Sequence, residues 1–190
     1  MQTSDSYCPA NRAEWRAWLL NNHEAKPSVW LVLHKKASGK PTISWGEAVD
    51  EALCFGWVDG RRKLLDADSF IQFFCKRKPR GTWSKINKEK VALLTEKQLM
   101  QPAGVAAITI AQQNGSWDSL NEVEAYFVPE DLRQALQKKA DAETYFDGLS
   151  KSTTKAMLQW INAAKRPETR TNRINEIAEL AVQKRKPKQF

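Results

Sequence analysis

Ser44-Trp-Gly-Glu-Ala-Val-Asp-Glu-Ala-Leu-Cys-Phe-Gly-Trp-Val-Asp59 changes hydrophobic period part-way along, and that change decides the fold class. Ser44 and Glu47 have the spacing of a capping box, in which serine oxygen and glutamate carboxylate satisfy reciprocal backbone donors, so a helix starts there. Trp45, Ala48, Val49, Ala52 and Leu53 fall on one face at helical spacing. Gly56 ends the helix by allowing a left-handed backbone. Beyond it the period drops to two, so Trp57-Val-Asp59 reads as a short strand and Gly60 as a turn.

Upstream, Trp15, Trp18 and Leu19 recur at i, i+3, i+4 and predict an amphipathic helix over about 11–21. Val29-Trp-Leu-Val-Leu33 is a continuous apolar, β-branched and aromatic run that suits a buried strand. Downstream, Phe70-Ile-Gln-Phe-Phe-Cys75 is a second, longer strand, and from Ser84 to about Met100 the pattern turns helical. Pro102 and Pro129 suit first helical positions. Leu132, Ala135, Leu136 and Ala140 mark one helical stripe, and Met157, Trp160, Ile161 and Ala164 another. Pro167 interrupts the chain before a last helix carrying Ile174, Ile177, Ala178 and Ala181. The final four residues are expected to fray. Strands cluster early and helices follow alone, which argues α+β with a small antiparallel sheet. The expected organisation is an α+β domain over 1–115 and a helical C-terminal module over 116–190 packed on it.

The 190 residues suit a chain that buries about 70% of its unfolded surface, and 42% hydrophobic with 27% charged residues is the balance of a folded globular protein. Cys8, Cys54 and Cys75 are odd in number and far apart, which excludes a disulfide scaffold and a zinc knuckle. The N-terminal residues lack a signal-peptide pattern and no apolar run reaches membrane-span length, so a cytoplasmic location is expected. The net charge of +8 is concentrated. Residues 61–90 carry ten basic and three acidic side chains, and 163–190 carry eight and three, while 91–162 are net acidic. Such blocks are either solvated faces or a surface for an anionic partner, nucleic acid included.

Catalytic motifs are missing: the two histidines, His23 and His34, do not share a helix face, and there is no phosphate loop, nucleophile elbow or metal-ligand spacing. No cofactor or metal is expected. Period two puts Trp57 and Asp59 on one strand face. Either Trp57 is core and Asp59 caps a turn, or Asp59 rims an aromatic pocket. The preferred reading is a non-catalytic binding protein for a small molecule or anion, its cleft lined by Glu47, Trp57, Asp59, Trp83 and Asn87. The alternative is an enzyme using Asp59 or Glu47 as general base, which needs a carboxylate with a raised pKa. Lys76-Arg-Lys-Pro-Arg80 followed by Trp83-Ser-Lys-Ile-Asn-Lys88 interleaves basic and aromatic residues in a manner suited to phosphate or single-stranded nucleic acid. Lys85, Lys88, Arg170 and Arg173 are candidate anion contacts on a face shared by the two basic blocks. Arg166, Arg170 and Arg173 would otherwise pair with Glu130, Asp131 or Glu143.

Three runs carry a family resemblance: Val29-Trp-Leu-Val-Leu-His-Lys-Lys36, Glu47 through Asp59-Gly60, and Thr82-Trp-Ser-Lys-Ile-Asn87. Val128-Pro-Glu-Asp-Leu132 and Trp160-Ile161 through Ala164-Lys165, Thr169-Arg170 and Arg173-Ile174 add to it. Together they resemble the bacterial YdeI/OmpD-associated family over nearly the whole chain, with departures at Trp45, Lys76 and Gly81. The resemblance implies an N-terminal part similar to YjbR/CyaY-like α+β folds and a C-terminal helical module. It also implies an association with bacteriocin protection or stress, and no agreed biochemical activity.

Overall fold

A computed structural model describes residues 6–190, and the chain divides into two compact units between Ser119 and Leu120. The first is α+β. Strand β1 (Ser6–Tyr7) precedes α1 (Arg12–Asn22), β2 (Ser28–His34), a short 3-10 turn (Lys36–Ser38) and α2 (Trp45–Cys54). Then come β3 (Trp57–Leu64), β4 (Ser69–Lys76), α3 (Lys85–Glu96) and α4 (Pro102–Gln113). The strand order is β1-β2-β4-β3. β4 pairs antiparallel with both neighbours, but β1 runs parallel to β2, so the sheet is mixed and not purely antiparallel.

The caps follow from the sequence. Asn11 and Ser84 side chains accept from Glu14 and Asn87 N–H at the starts of α1 and α3, and the Ser44/Glu47 capping box forms in full. Gly56, at φ +71°, provides the left-handed residue that ends α2. Two expectations change here. β3 does not stop at Asp59: Gly60 lies in a bulge between Asp59 and Arg62, and the strand continues to Leu64. A side chain there would be tight, since an added Cβ would sit 3.3 Å from the Phe73 ring, and Gln72 Nε2 donates to the Gly60 carbonyl at 2.7 Å. Trp45, placed by period on the core face of α2, is half exposed, whereas Glu51 on that helix is buried.

The core of this unit lies on the Val29/Leu31/Leu33 face of β2, under Trp15 and Leu19 of α1 and Ala48, Ala52 and Leu53 of α2. Trp15 Nε1 donates to Ala48 O at 3.0 Å, and its ring meets Phe74 at 5.5 Å. Three tryptophans, Trp15, Trp57 and Trp83, are almost fully buried. Each removes roughly 150–250 Å² from water, a gross gain of about 4–6 kcal/mol. Glu51 sits in this core because Arg12 Nε and Arg16 Nη1 approach its two oxygens at 2.5 and 2.6 Å. α4 crosses the end of α2 at Gly104, where a Cβ would lie 2.2 Å from Cys54 O, so only glycine allows the approach.

The second unit is helical: α5 (Asn121–Glu124), α6 (Glu130–Gln137), α7 (Ala142–Asp147), α8 (Lys151–Asn162) and α9 (Pro167–Val182). α9 packs on α6, α7 and α8, burying Ile174, Ile177, Ala178 and Ala181. Their partners include Leu132, Leu136, Phe146 and Ile161. Pro167 takes the first position of α9, as its fixed φ and missing N–H favour. Pro129 instead caps α6, and Ala140 lies exposed beyond the end of that helix. The terminal residues pack on the helical unit: Pro187 is buried and Phe190 meets the Trp160 ring edge-on at 5.7 Å.

Candidate functional site

At the junction of α2 and β3, Gly56 lets α4 come close: a Cβ there would meet Ala103 O at 2.8 Å and Ala107 Cβ at 3.1 Å. The next residue, Trp57, turns its indole into the core. Arg77, just past β4, is fixed to the same junction because its N–H donates to Gly56 O at 2.9 Å. Its guanidinium lies 3.7 Å over the buried Trp83 ring, and Nη1 donates to Thr82 O at 2.7 Å. Trp83 packs in turn on Trp117 at 4.9 Å. Beside this arrangement opens a cavity of about 330 Å³. Its apolar wall comes from Phe55, Trp57, Ala107 and Ile110; Lys76, Arg77 and Lys78 add positive charge against the single carboxylate of Glu24.

The polar bookkeeping of this corner is incomplete. Arg77 Nε and Nη2, Trp57 Nε1 and Trp83 Nε1 are shielded donors with no acceptor among the described residues. Burial pushes the Arg77 guanidinium down to about 10, with the nearby Asp59 carboxylate acting in the opposite direction. A shielded cation that still has open donors costs free energy unless an acceptor reaches it. Nε and one Nη form the planar edge through which arginine grips a carboxylate or phosphate with two parallel hydrogen bonds.

Of the five cleft residues expected from sequence, Trp57 and Trp83 each meet this corner, and Asp59 acts on Arg77. Asp59 Oδ2 also accepts from the half-exposed Trp45 Nε1 at 3.3 Å. Glu47 is occupied elsewhere. Its Oε2 accepts from Ser44 N–H at 3.0 Å and Ser44 Oγ–H at 2.6 Å, which holds its carboxyl below the usual range and is the opposite of what a general base needs. Asn87 contributes its N–H to the cap of α3.

The four proposed anion contacts divide between the units, and each has an intramolecular partner. Lys85 lies 3.9 Å from Glu89 and Lys88 3.1 Å from Asp118. Arg170 grips Asp131 through Nε and Nη2 at 2.7 and 3.0 Å, and Arg173 donates to Trp160 O. The pairing of Arg170 with the acidic segment was the bland alternative read from the sequence. Sequence reasoning missed Arg77, because nothing in the run from Lys76 to Arg80 marks one cation as partly buried. It also missed Glu51, although its position three residues after Ala48, on the buried stripe, was a readable signal.

Fold and site thus define a two-unit α+β protein with a cationic, aromatic-walled pocket in its first unit. Residues 7–107 match the family described as a domain of unknown function (DUF8412). That is more than half the chain, which belongs to this family. Residues 125–184 match the family described as bacteriocin-protection, YdeI or OmpD-associated. The second match lies in the helical unit, so the YdeI-type resemblance holds there, and the N-terminal runs fall within the first match. No curated protein and no solved structure matches the chain. No helix among the described residues is long and apolar enough to cross a membrane, and no cluster of metal-ligating side chains occurs among them.

Proposed function

We propose that the protein is a non-catalytic binding protein for a small anionic ligand, held in the pocket beside Arg77. One observation carries this reading: a guanidinium shielded enough to lose basicity, with Nε and Nη2 lacking acceptors, adjoins a cavity of about 330 Å³. An entering carboxylate or phosphate supplies both the counter-charge and the acceptors, with a small rotation of the Arg77 side chain bringing its planar edge to the ligand. Phe55, Trp57 and Ile110 favour a ligand with an apolar body. Three free cysteines suit a reducing, cytoplasmic compartment. The description of the second family supports a role connected with bacteriocin protection.

Thermal-shift screening of small organic anions against wild type, Arg77→Gln and Asp59→Asn tests the reading. A ligand at a hundredfold excess over its Kd stabilises the fold by ~2.7 kcal/mol. Hits are expected to shift wild type, to lose their effect in Arg77→Gln and to keep it in Asp59→Asn. Hits that shift wild type and Arg77→Gln equally would place the ligand elsewhere.

A further inference from the structure

The other face of the sheet points to a second activity, independent of the Arg77 pocket. In β2, Val29, Leu31 and Leu33 face the core, so Trp30 and Val32 point the opposite way and stay partly exposed. Register carries this face across the sheet. Trp30 lies opposite Phe73, Val32 opposite Ile71, and Ile71 opposite Lys63. The bulge at Gly60 lets the Phe73 ring lie against the edge strand, 5.1 Å from the Trp30 ring. It also turns Arg61 onto the same face, where Arg61 and Lys63 stand 5.5 and 5.1 Å from the centre of the Trp30 ring.

Three features distinguish this surface from an edge strand that carries charge only to prevent aggregation. Protective charge needs no aromatic beneath it, yet two of the three edge cations converge on one indole. Arg62 on the opposite face lies over Phe70 at 3.5 Å, whereas Arg61 and Lys63 lie over the Trp30 ring at the longer distances of 5.5 and 5.1 Å, loose enough to swing aside to a backbone phosphate. Neither Arg61 nor Lys63 has a carboxylate partner among the described residues, and no paired position on this face is acidic. Asp66 and Asp68 lie in the turn between β3 and β4.

We infer that this face binds single-stranded nucleic acid, with a base stacked on Trp30, a neighbouring base against Phe73, and phosphates held by Arg61 and Lys63. Aromatic rings take any base because every base has a π face, and flanking cations follow the backbone. A duplex keeps its bases stacked inside and meets only the two cations. The occupant is therefore a single strand, bound without strong sequence preference.

Fluorescence anisotropy of a labelled ten-residue oligothymidylate, titrated with the full chain at several salt concentrations, tests this. Binding is expected at low salt, weaker for a duplex of equal length. Arg61→Gln with Lys63→Gln, both exposed, should flatten log affinity against log salt by about 1.4, at ~0.7 per phosphate contact. Trp30→Leu, checked for folding by circular dichroism, should lose at least about fivefold in affinity with the slope unchanged. If Trp30→Leu does not fold, quenching of tryptophan emission by the oligonucleotide in wild type but not in the Arg61/Lys63 variant provides the same evidence. Three results each overturn the proposal: no binding at low salt, equal affinity for duplex, or loss of binding in Lys85→Gln/Lys88→Gln while the Arg61/Lys63 variant binds normally. Polyglutamate binding as tightly as the oligonucleotide, with Trp30→Leu indifferent, would assign the face to acidic peptides instead.

Discussion

The two units solve the same problem with different materials. The helical unit buries aliphatic side chains, one methionine and one phenylalanine, and keeps its ion pairs Arg170–Asp131, Lys155–Glu124 and Arg133–Glu143 at or near the surface. The α+β unit buries tryptophans, a carboxylate between two arginines and part of a third arginine. Among the described residues, every shielded side-chain donor or acceptor without a partner lies in the α+β unit. Buried polar atoms are nearly always paired in native proteins, so a cluster of exceptions marks where other demands competed with stability. The difference teaches that the helical unit resolves its polar groups at or near its surface, whereas the α+β unit leaves shielded donors open, which is why the proposed pocket is placed there.

The comparison can be broken most forcefully from the helical side. Phe146→Ala removes the large buried ring of that unit and is expected to cost about 4 kcal/mol. Hydrogen exchange read residue by residue should accelerate first in α6, α7 and α9; equal acceleration in β2 and β4 would mean that the units do not unfold separately. Next comes Glu51→Gln, which keeps the shape but leaves Arg12 and Arg16 without their counter-charge. Both arginines are partly exposed, so a loss of about 3 kcal/mol is expected, at the lower end for a broken buried pair. Denaturant titration followed by tryptophan emission reads it, since seven of the eight tryptophans precede Leu120. No loss would show that the buried charge cluster contributes nothing to the α+β unit.

Gly104→Ala sharpens the link between packing and the pocket. The new methyl must displace the Cys54 carbonyl or move α4, at about 2 kcal/mol, and α4 forms one wall of the cavity. Both stability and affinity for pocket ligands should fall, and a stable variant with unchanged ligand affinity would detach the pocket from the α2–α4 crossing. The smallest effect is expected at Asp131. The hydrogen bonds from Arg170 hold its carboxyl below the usual range, so the pair stabilises the helical unit above pH ~3.9 and that stability is lost as pH falls through the lowered folded value. The pair is half exposed, and Asp131→Asn should cost only about 0.5 kcal/mol at neutral pH and remove that acid dependence. An acid titration of helix unfolding, in wild type and variant, checks both.

Local chemistry accounts for what the sequence determined by itself. The capping box at Ser44 and Glu47, the left-handed stop at Gly56, the apolar run of β2 and the proline start of α9 are each decided within a few residues. Periodicity likewise located the buried faces of α1, α8 and α9, and with them the α+β class. Only the tertiary structure decided which of several similar residues matter. One arginine among the cations from Lys76 to Arg80 is partly buried because Gly56, on the far side of β3 and β4 in the chain, holds its backbone against the Trp83 ring. Trp45 is outside and Glu51 inside because α1 brings two arginines to one side of α2. Gly60 is a bulge and not a turn because β3 goes on pairing with β4 beyond it, Arg62 opposite Gln72 and Lys63 opposite Ile71. Each of these outcomes depends on contacts across many residues, and a short-range pattern contains no information about which partner arrives.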